Sequence, residues 1–154
     1  MDRIPCLVSI DSDLSEDKTL SHGSFEATSE RIRFTWSTKE EEEGLPDMKF
    51  LLTYQVKEKI LRLSRRGATE SDMLFQLGEK TEGVIRTSHG DFDLELATRE
   101  LSFFEEGTDT HTTIEGQTYL VKTGRLTYDL CFAGQEPMRN HMTFHVHIAE
   151  NSDI

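Results

Sequence analysis

Between Ile4 and Ile148 the chain places an apolar residue at every second position again and again, and this two-residue period limits its fold more than any other feature. Ile4, Cys6, Val8 and Ile10 share one side of an extended segment. Ile32, Phe34 and Trp36 do the same, set against Arg31, Arg33 and Thr35, and so do Met48, Phe50, Leu52, Tyr54 and Val56, with only Leu51 out of phase. Successive side chains of a strand point to opposite faces, so each run reads as a strand with one face to bury. Shorter runs follow at Phe25 and Ala27, at Leu61, Leu63 and Arg65, at Met73, Phe75 and Leu77, and from Val84 to Ser88. Phe92, Leu94 and Leu96 come next, then Tyr119 and Val121, Leu126 to Phe132, and Met142 to Ile148, with Gly67 and Gly90 marking hairpin turns.

Such strands must cover their apolar faces, and the sequence offers no long helix to cover them. Leu94, Ala97, Leu101 and Phe104 also fit a helical stripe, but the strict alternation before them and Gly107 after them leave room for a short helix at most. The expected fold is therefore all-β: a single antiparallel up-and-down barrel of about eight to ten strands, which also removes exposed edges, with a two-sheet sandwich as the alternative. A chain of 154 residues suffices for one domain, here 1–150, with 151–154 as a frayed tail. Lys39 to Asp47, with glutamates at Glu40 to Glu43, reads as an exposed loop, and so does Ala133 to Asn140.

In their order and spacing, six elements are similar to one family. They are Leu63-Ser-Arg65-Arg66-Gly67, Phe75, Thr87-Ser-His-Gly90, Leu94-Glu-Leu96-Ala-Thr98, Gly124-Arg-Leu-Thr-Tyr128 and Asn140-His-Met-Thr-Phe144. Together they resemble the YwiB-like family, small bacterial proteins of unknown function with a calycin-like (lipocalin-like) β-barrel. The resemblance runs from about Ile4 to His147 and implies the barrel and a Gram-positive, intracellular setting; it brings no activity and no catalytic residues. The chain departs from the family pattern in the acidic loop at Glu40 to Glu43 and in a longer polar stretch from Thr108 to Gln117.

Charge narrows the function. Lys and Arg number 17 against 29 Asp and Glu, a formal charge of -12, so the long-range field repels nucleic acid and anionic membranes, and neither is an expected partner. The amino terminus has no basic stretch followed by an apolar run, and the two cysteines, Cys6 and Cys131, fit a cytoplasmic protein with reduced thiols. Neither cysteine has a basic neighbour placed to make a thiolate. The sequence has no nucleophile elbow, Walker pattern or dinucleotide fingerprint, so an enzyme is the less favoured reading, and no cofactor is expected.

Two residues interrupt the apolar inward face: Arg65, in phase with Leu61 and Leu63, and His89, in phase with Ile85 and Thr87. An inward charge needs a partner. The first functional expectation is a non-enzymatic binding module that takes a small, partly apolar, anionic molecule at the barrel mouth. Trp36 and Tyr54 would form the apolar walls, Arg65 would supply the charge, and His89 and Tyr128 would give hydrogen bonds. An enclosed cavity reaching Arg65 is then expected. The structural alternative has Arg65 closing the barrel end, stacked on Trp36 or capping carbonyls, and His89 as an ordinary exposed turn residue. A second functional expectation is a filled barrel whose acidic surface and Glu40 to Glu43 loop meet a basic protein partner, with homodimerisation also open. His141, His145 and His147 share the outward face of the last strand, but an exposed strand seldom gives zinc its convergent ligands. They read as a solvated patch, and no metal is expected.

Overall fold

The computed structural model describes residues 3–13, 20–38, 47–132 and 134–150. β1 (Ile4–Ser12), β2 (Ser21–Ala27), β3 (Arg31–Thr38), β4 (Met48–Gln55), β5 (Ile60–Arg66), β6 (Glu70–Gln76), β7 (Lys80–Thr87) and β8 (Gly90–Phe103) each pair antiparallel with the next. β9 (Thr110–Ile114), β10 (Gln117–Phe132) and β11 (Met138–Ala149) complete the sheet. β10 pairs with β8, and β11 bonds to β10 on one edge and β1 on the other. Ten strands thus close into a barrel and β9 is an eleventh, added along the first part of β10. This is the expected barrel rather than a sandwich, and no helix occurs among the described residues. The glutamate run Glu40 to Glu43 and the tail 151–154 lie outside the described residues.

Two departures have local causes. The helix-like stripe from Leu94 to Phe104 comes from a β-bulge: Thr127 pairs with Glu100 and Tyr128 with Thr98, so Arg99 is an extra residue on β8. The inward set therefore changes phase, from Leu94, Leu96 and Thr98 to Leu101 and Phe103, all buried. The polar stretch Thr108 to Gln117, in which the sequence shows no apolar alternation, contains β9. It resumes the edge of β10 that β8 leaves at Gly124.

Strand direction alternates, so the barrel has two rims. At the lower rim Phe104 takes a left-handed conformation (φ 58°) and packs its ring 5.6 Å from Phe25 and 6.1 Å from Phe34, with Lys122 Nζ over the ring 5.7 Å from its centre. Above it Phe34, Phe103, Phe144 and Trp36 form one aromatic cluster with centroids 5.4–6.5 Å apart, and each such pair contributes about 0.5–1.5 kcal/mol beyond its area burial. Leu52, Leu61, Phe75 and Leu126 are wholly buried around it.

The seam between β1 and β11 carries the histidines: His141 is exposed and His145 half-exposed, each facing an aspartate, whereas His147 is buried and departs from the solvated patch the sequence suggests. His141 Nδ1 lies 2.6 Å from Asp13 Oδ2, and His145 Nε2 lies 3.4 Å from Asp11 Oδ2. His147 is buried against Tyr119, with Nδ1 3.3 Å from the Leu7 carbonyl. Desolvation pulls the His147 pKa below 6.5, outweighing the Leu7 hydrogen bond.

Two predictions follow from packing and burial. Gly124 stands opposite Phe103, whose ring occupies the space a Cβ would need. Gly124→Ala would gain a few tenths of a kcal/mol in chain entropy, but overpacking should cost about 1–3 kcal/mol, lowering the urea midpoint at constant slope. Because folding depresses the His147 pKa, the unfolded chain binds the extra proton more readily. His147 therefore favours the folded state above pH 6.5 and withdraws that support as pH falls below it. His147→Gln should flatten the stability profile between pH 7 and 5 in urea melts.

Candidate functional site

One inward row crosses six strands at the upper rim. Trp36, Phe50, Arg65, Ser71, Ile85 and Phe92 are successive register partners on β3 to β8. The apolar members of this half, together with Ile10, Phe132 and Met142, are mostly only partly buried, whereas Phe34, Leu52, Leu61, Phe75 and Phe144 in the middle of the barrel are fully enclosed; at the lower end Val56, Phe104 and Ile148 are again only partly buried. A closed wall that exposes its inner residues at one end has an open mouth there. The recess is a groove of about 680 Å³, lined by Ile85, Phe92, Phe132 and Gln135 with Asp91 and Asp93 at its lip. It is open to solvent, not the enclosed chamber that the sequence led us to expect.

Arg65 is the cation of this row. Its Nε is buried without a hydrogen-bond partner, and among the described residues its guanidinium makes no ion pair. Desolvation pulls its pKa below the ordinary arginine value. The neighbouring Arg66 points outward and behaves in the opposite way: with Arg86 it holds Asp72, at 3.3 and 3.1 Å, and Ser64 Oγ donates to the same carboxylate at 2.8 Å. Phe50 stands between Arg65 and Trp36 in the register and stacks on the indole at 5.0 Å and 5°. The direct Arg65-on-Trp36 stack is therefore replaced by an interleaved ring.

Below the row lies a buried polar relay. Asn140 Nδ2 donates to the Tyr128 phenol at 3.0 Å, and Ser12 Oγ donates to Asn140 Oδ1 at 3.0 Å. Since the phenol accepts from Asn140, its own proton remains available. Burial raises its pKa, opposed by the Asn140 bond.

The five residues marked in the sequence separate accordingly. Trp36 and Arg65 share the row, and Tyr128 lies beside Phe75 (4.8 Å) in the relay. Tyr54 is buried toward the lower rim against Phe103 at 5.3 Å. His89 is exposed in the β7–β8 turn, its backbone N–H bonded to Thr87 Oγ1, so its apparent inward phase ends with the strand. Phe50, Ser71, Ser12 and Asn140 went unmarked. Ser71 could have been found, since it is in phase with Met73 and Phe75, whereas Asn140 fell within the segment read as a loop.

Other chemistry is sparse among the described residues. No group of three or more His, Cys, Asp or Glu is arranged to hold a metal. Burial pushes the Cys6 thiol up to about 11, and the single S–H of Cys131 is shared between the carbonyls of Phe132 and Gln135, at 3.4 and 3.3 Å. No helix among the described residues is long and apolar enough to cross a membrane.

Comparison with known proteins agrees with this architecture. The crystal structure of the YwiB protein from Bacillus subtilis has the same fold, with a TM-score of 0.66, 12% identity, and coverage of 96% of this chain and 94% of that one. No curated protein matches the sequence. The family described as "Domain of unknown function (DUF1934)" matches residues 15–144, and the chain belongs to that family.

Proposed function

We propose that the protein is a non-enzymatic binding module, which takes a small amphipathic anion into the upper mouth of its barrel. The observation that carries this reading is Arg65, a guanidinium with a buried, unpartnered Nε in an apolar row. Arg65 is half-buried, with only its Nε enclosed, and an anionic ligand group at the mouth would meet the guanidinium with charge-assisted hydrogen bonds. The groove begins at Ile85, two strands further along the same row, and falls within the usual size range of small-molecule sites. In this arrangement the ligand's anionic end rests on Arg65 and Ser71, and its apolar part lies over Phe50 and the Ile85–Phe92–Phe132 groove. Trp36 backs Phe50, Tyr128 and Asn140 supply a polar floor, His89 stands at the rim, and Tyr54 supports the packing from below. The filled lower barrel limits the ligand to the mouth. The proposed setting is cytoplasmic, with no cofactor, nucleic acid or membrane.

A second reading, a protein-interaction domain, draws on the same rim, where Phe92 is 48% and Met138 47% exposed, and on the acidic surface. A basic partner would then cover the mouth.

Trp36, the sole tryptophan, reports on the row through its stack with Phe50. Titration with decanoate should change its emission saturably, whereas decanol should not. Arg65→Met should abolish the response while leaving thermal stability equal to or above wild type, since the variant removes an unpaired charge. Silence toward decanoate, or an undiminished response in Arg65→Met, would overturn the anion-binding reading and leave the interaction domain.

A further inference from the structure

The outer wall carries a second recess, remote in character from the mouth. Where β8 gives way to β9 the chain lifts off the ladder, and a cleft of about 340 Å³ opens beneath the insert formed by residues 104–109. Its floor is a patch of three strands. Ser102, Arg125 and Thr143 are register neighbours across β8, β10 and β11, and the adjacent outward row holds Thr123 and His145. Strands lie about 4.8 Å apart and same-face residues about 6.5–7 Å apart along a strand, so one small molecule can touch all five side chains. Glu105 and Thr108 of the insert, with Thr110 at the start of β9, form the wall.

That wall is fixed in place. Phe104 anchors the insert in the barrel, its N–H donates to the Thr123 carbonyl at 3.0 Å, and both the N–H and hydroxyl of Thr108 donate to the Glu105 carbonyl, at 3.2 and 2.6 Å. Gly107 supplies the left-handed turn (φ 82°) that brings the insert back toward β9. A cleft with a rigid wall spends little ordering entropy on a ligand.

Arg125 lines this cleft and, like Arg31, Arg33 and Arg62 but unlike Arg66, Arg86, Arg99 and Arg139, which each pair with an aspartate, makes no ion pair or side-chain hydrogen bond among the described residues. It is flanked instead by the hydroxyls of Ser102 and Thr143. His145 engages Asp11 through Nε2 at 3.4 Å, which leaves Nδ1 toward other partners. Several donors converging on one guanidinium suit the three free oxygens of a phosphate ester better than a carboxylate. Glu105, in the same cleft, repels a second anion and asks for hydroxyl donors. The space also exceeds what a lone phosphate fills.

We infer that this outer cleft binds a small phosphorylated polyol of the sugar-phosphate class, with the phosphate on Arg125, Ser102, Thr143 and His145 and the hydroxyls on Glu105 and Thr123. The site shares no residue with the barrel mouth and does not depend on the reading of that mouth.

The test uses the full chain, isotope-labelled, titrated with glucose 6-phosphate, glucose and inorganic phosphate while backbone amide shifts are followed. Glucose 6-phosphate should move the amides of Thr123, Arg125, Thr143 and His145 and bind at least about tenfold more tightly than either glucose or phosphate. Arg125→Gln should weaken it about tenfold or more, with a dispersed spectrum proving that the variant is folded. Arg65→Met should bind it as wild type does, which separates this cleft from the mouth. The inference fails if millimolar glucose 6-phosphate leaves these amides in place, if phosphate alone binds as well, or if Arg125→Gln titrates like wild type.

Discussion

Hydrogen bonding of β11 along both edges, to β1 and to β10, turns a meander of one-sided strands into a wall with a shared interior. Without that seam the apolar faces of ten strands would need an outside layer that the chain does not contain. With it, every inward side chain meets others of its kind, and any polar group on that side must find its partner inside the barrel. The outer surface of the seam is secured by short-range contacts, with His141 and His145 on Asp13 and Asp11 and His147 tucked against Leu7 and Tyr119.

Alternation made most of this legible, because a two-residue period is a direct imprint of a pleated wall with one dry side. It failed where the pleat itself is interrupted. One extra residue, Arg99, shifts the phase of β8, and a period-two segment then looks briefly helical from Leu94 to Phe104. β9 was invisible for another reason: it lies on the edge of β10 with both faces largely wet, and a strand with nothing to bury carries no alternation. Arg65 was legible as a violation of its own strand's pattern. Its relation to Trp36 was not, since which residue stands between two neighbours depends on register, and register placed Phe50 there. His89 shows the converse limit: its phase is inward only if the strand continues, and the turn at Gly90 ends it.

Three arginines close in sequence or setting show how place decides the role of one side chain. Arg66 faces water and is held by Asp72, an arrangement in which each partner has solvent and hydroxyls for its remaining valence. Arg65, one residue earlier and therefore on the opposite face, stands between Phe50 and Ser71 and has no carboxylate partner among the described residues. Arg125 faces outward like Arg66 but lies among hydroxyls, not beside an acid. In a chain carrying twelve excess negative charges, leaving cations unpaired is not forced by any shortage of acids. It reflects where the strands put them: Arg65 in the inward row and Arg125 in the outer cleft.

The barrel is also unequal end to end, and the inequality has a mechanical sense. Its lower half is filled with rings and sealed by Phe104, held in a backbone conformation that a bulky residue adopts only when its surroundings hold it there. Tight packing of that kind resists displacement, because aromatic rings in contact move only if their neighbours move. The upper half has side chains in contact with solvent and a row whose one charge is unmet. A molecule arriving there would meet a rigid floor and a compliant rim, so any adjustment to its shape must be made by Phe50, Ile85, Phe92 and Met142 and not by the aromatic cluster below. The same rigidity reaches the outer wall, since the insert that seals the bottom with Phe104 also forms one side of the cleft at Arg125.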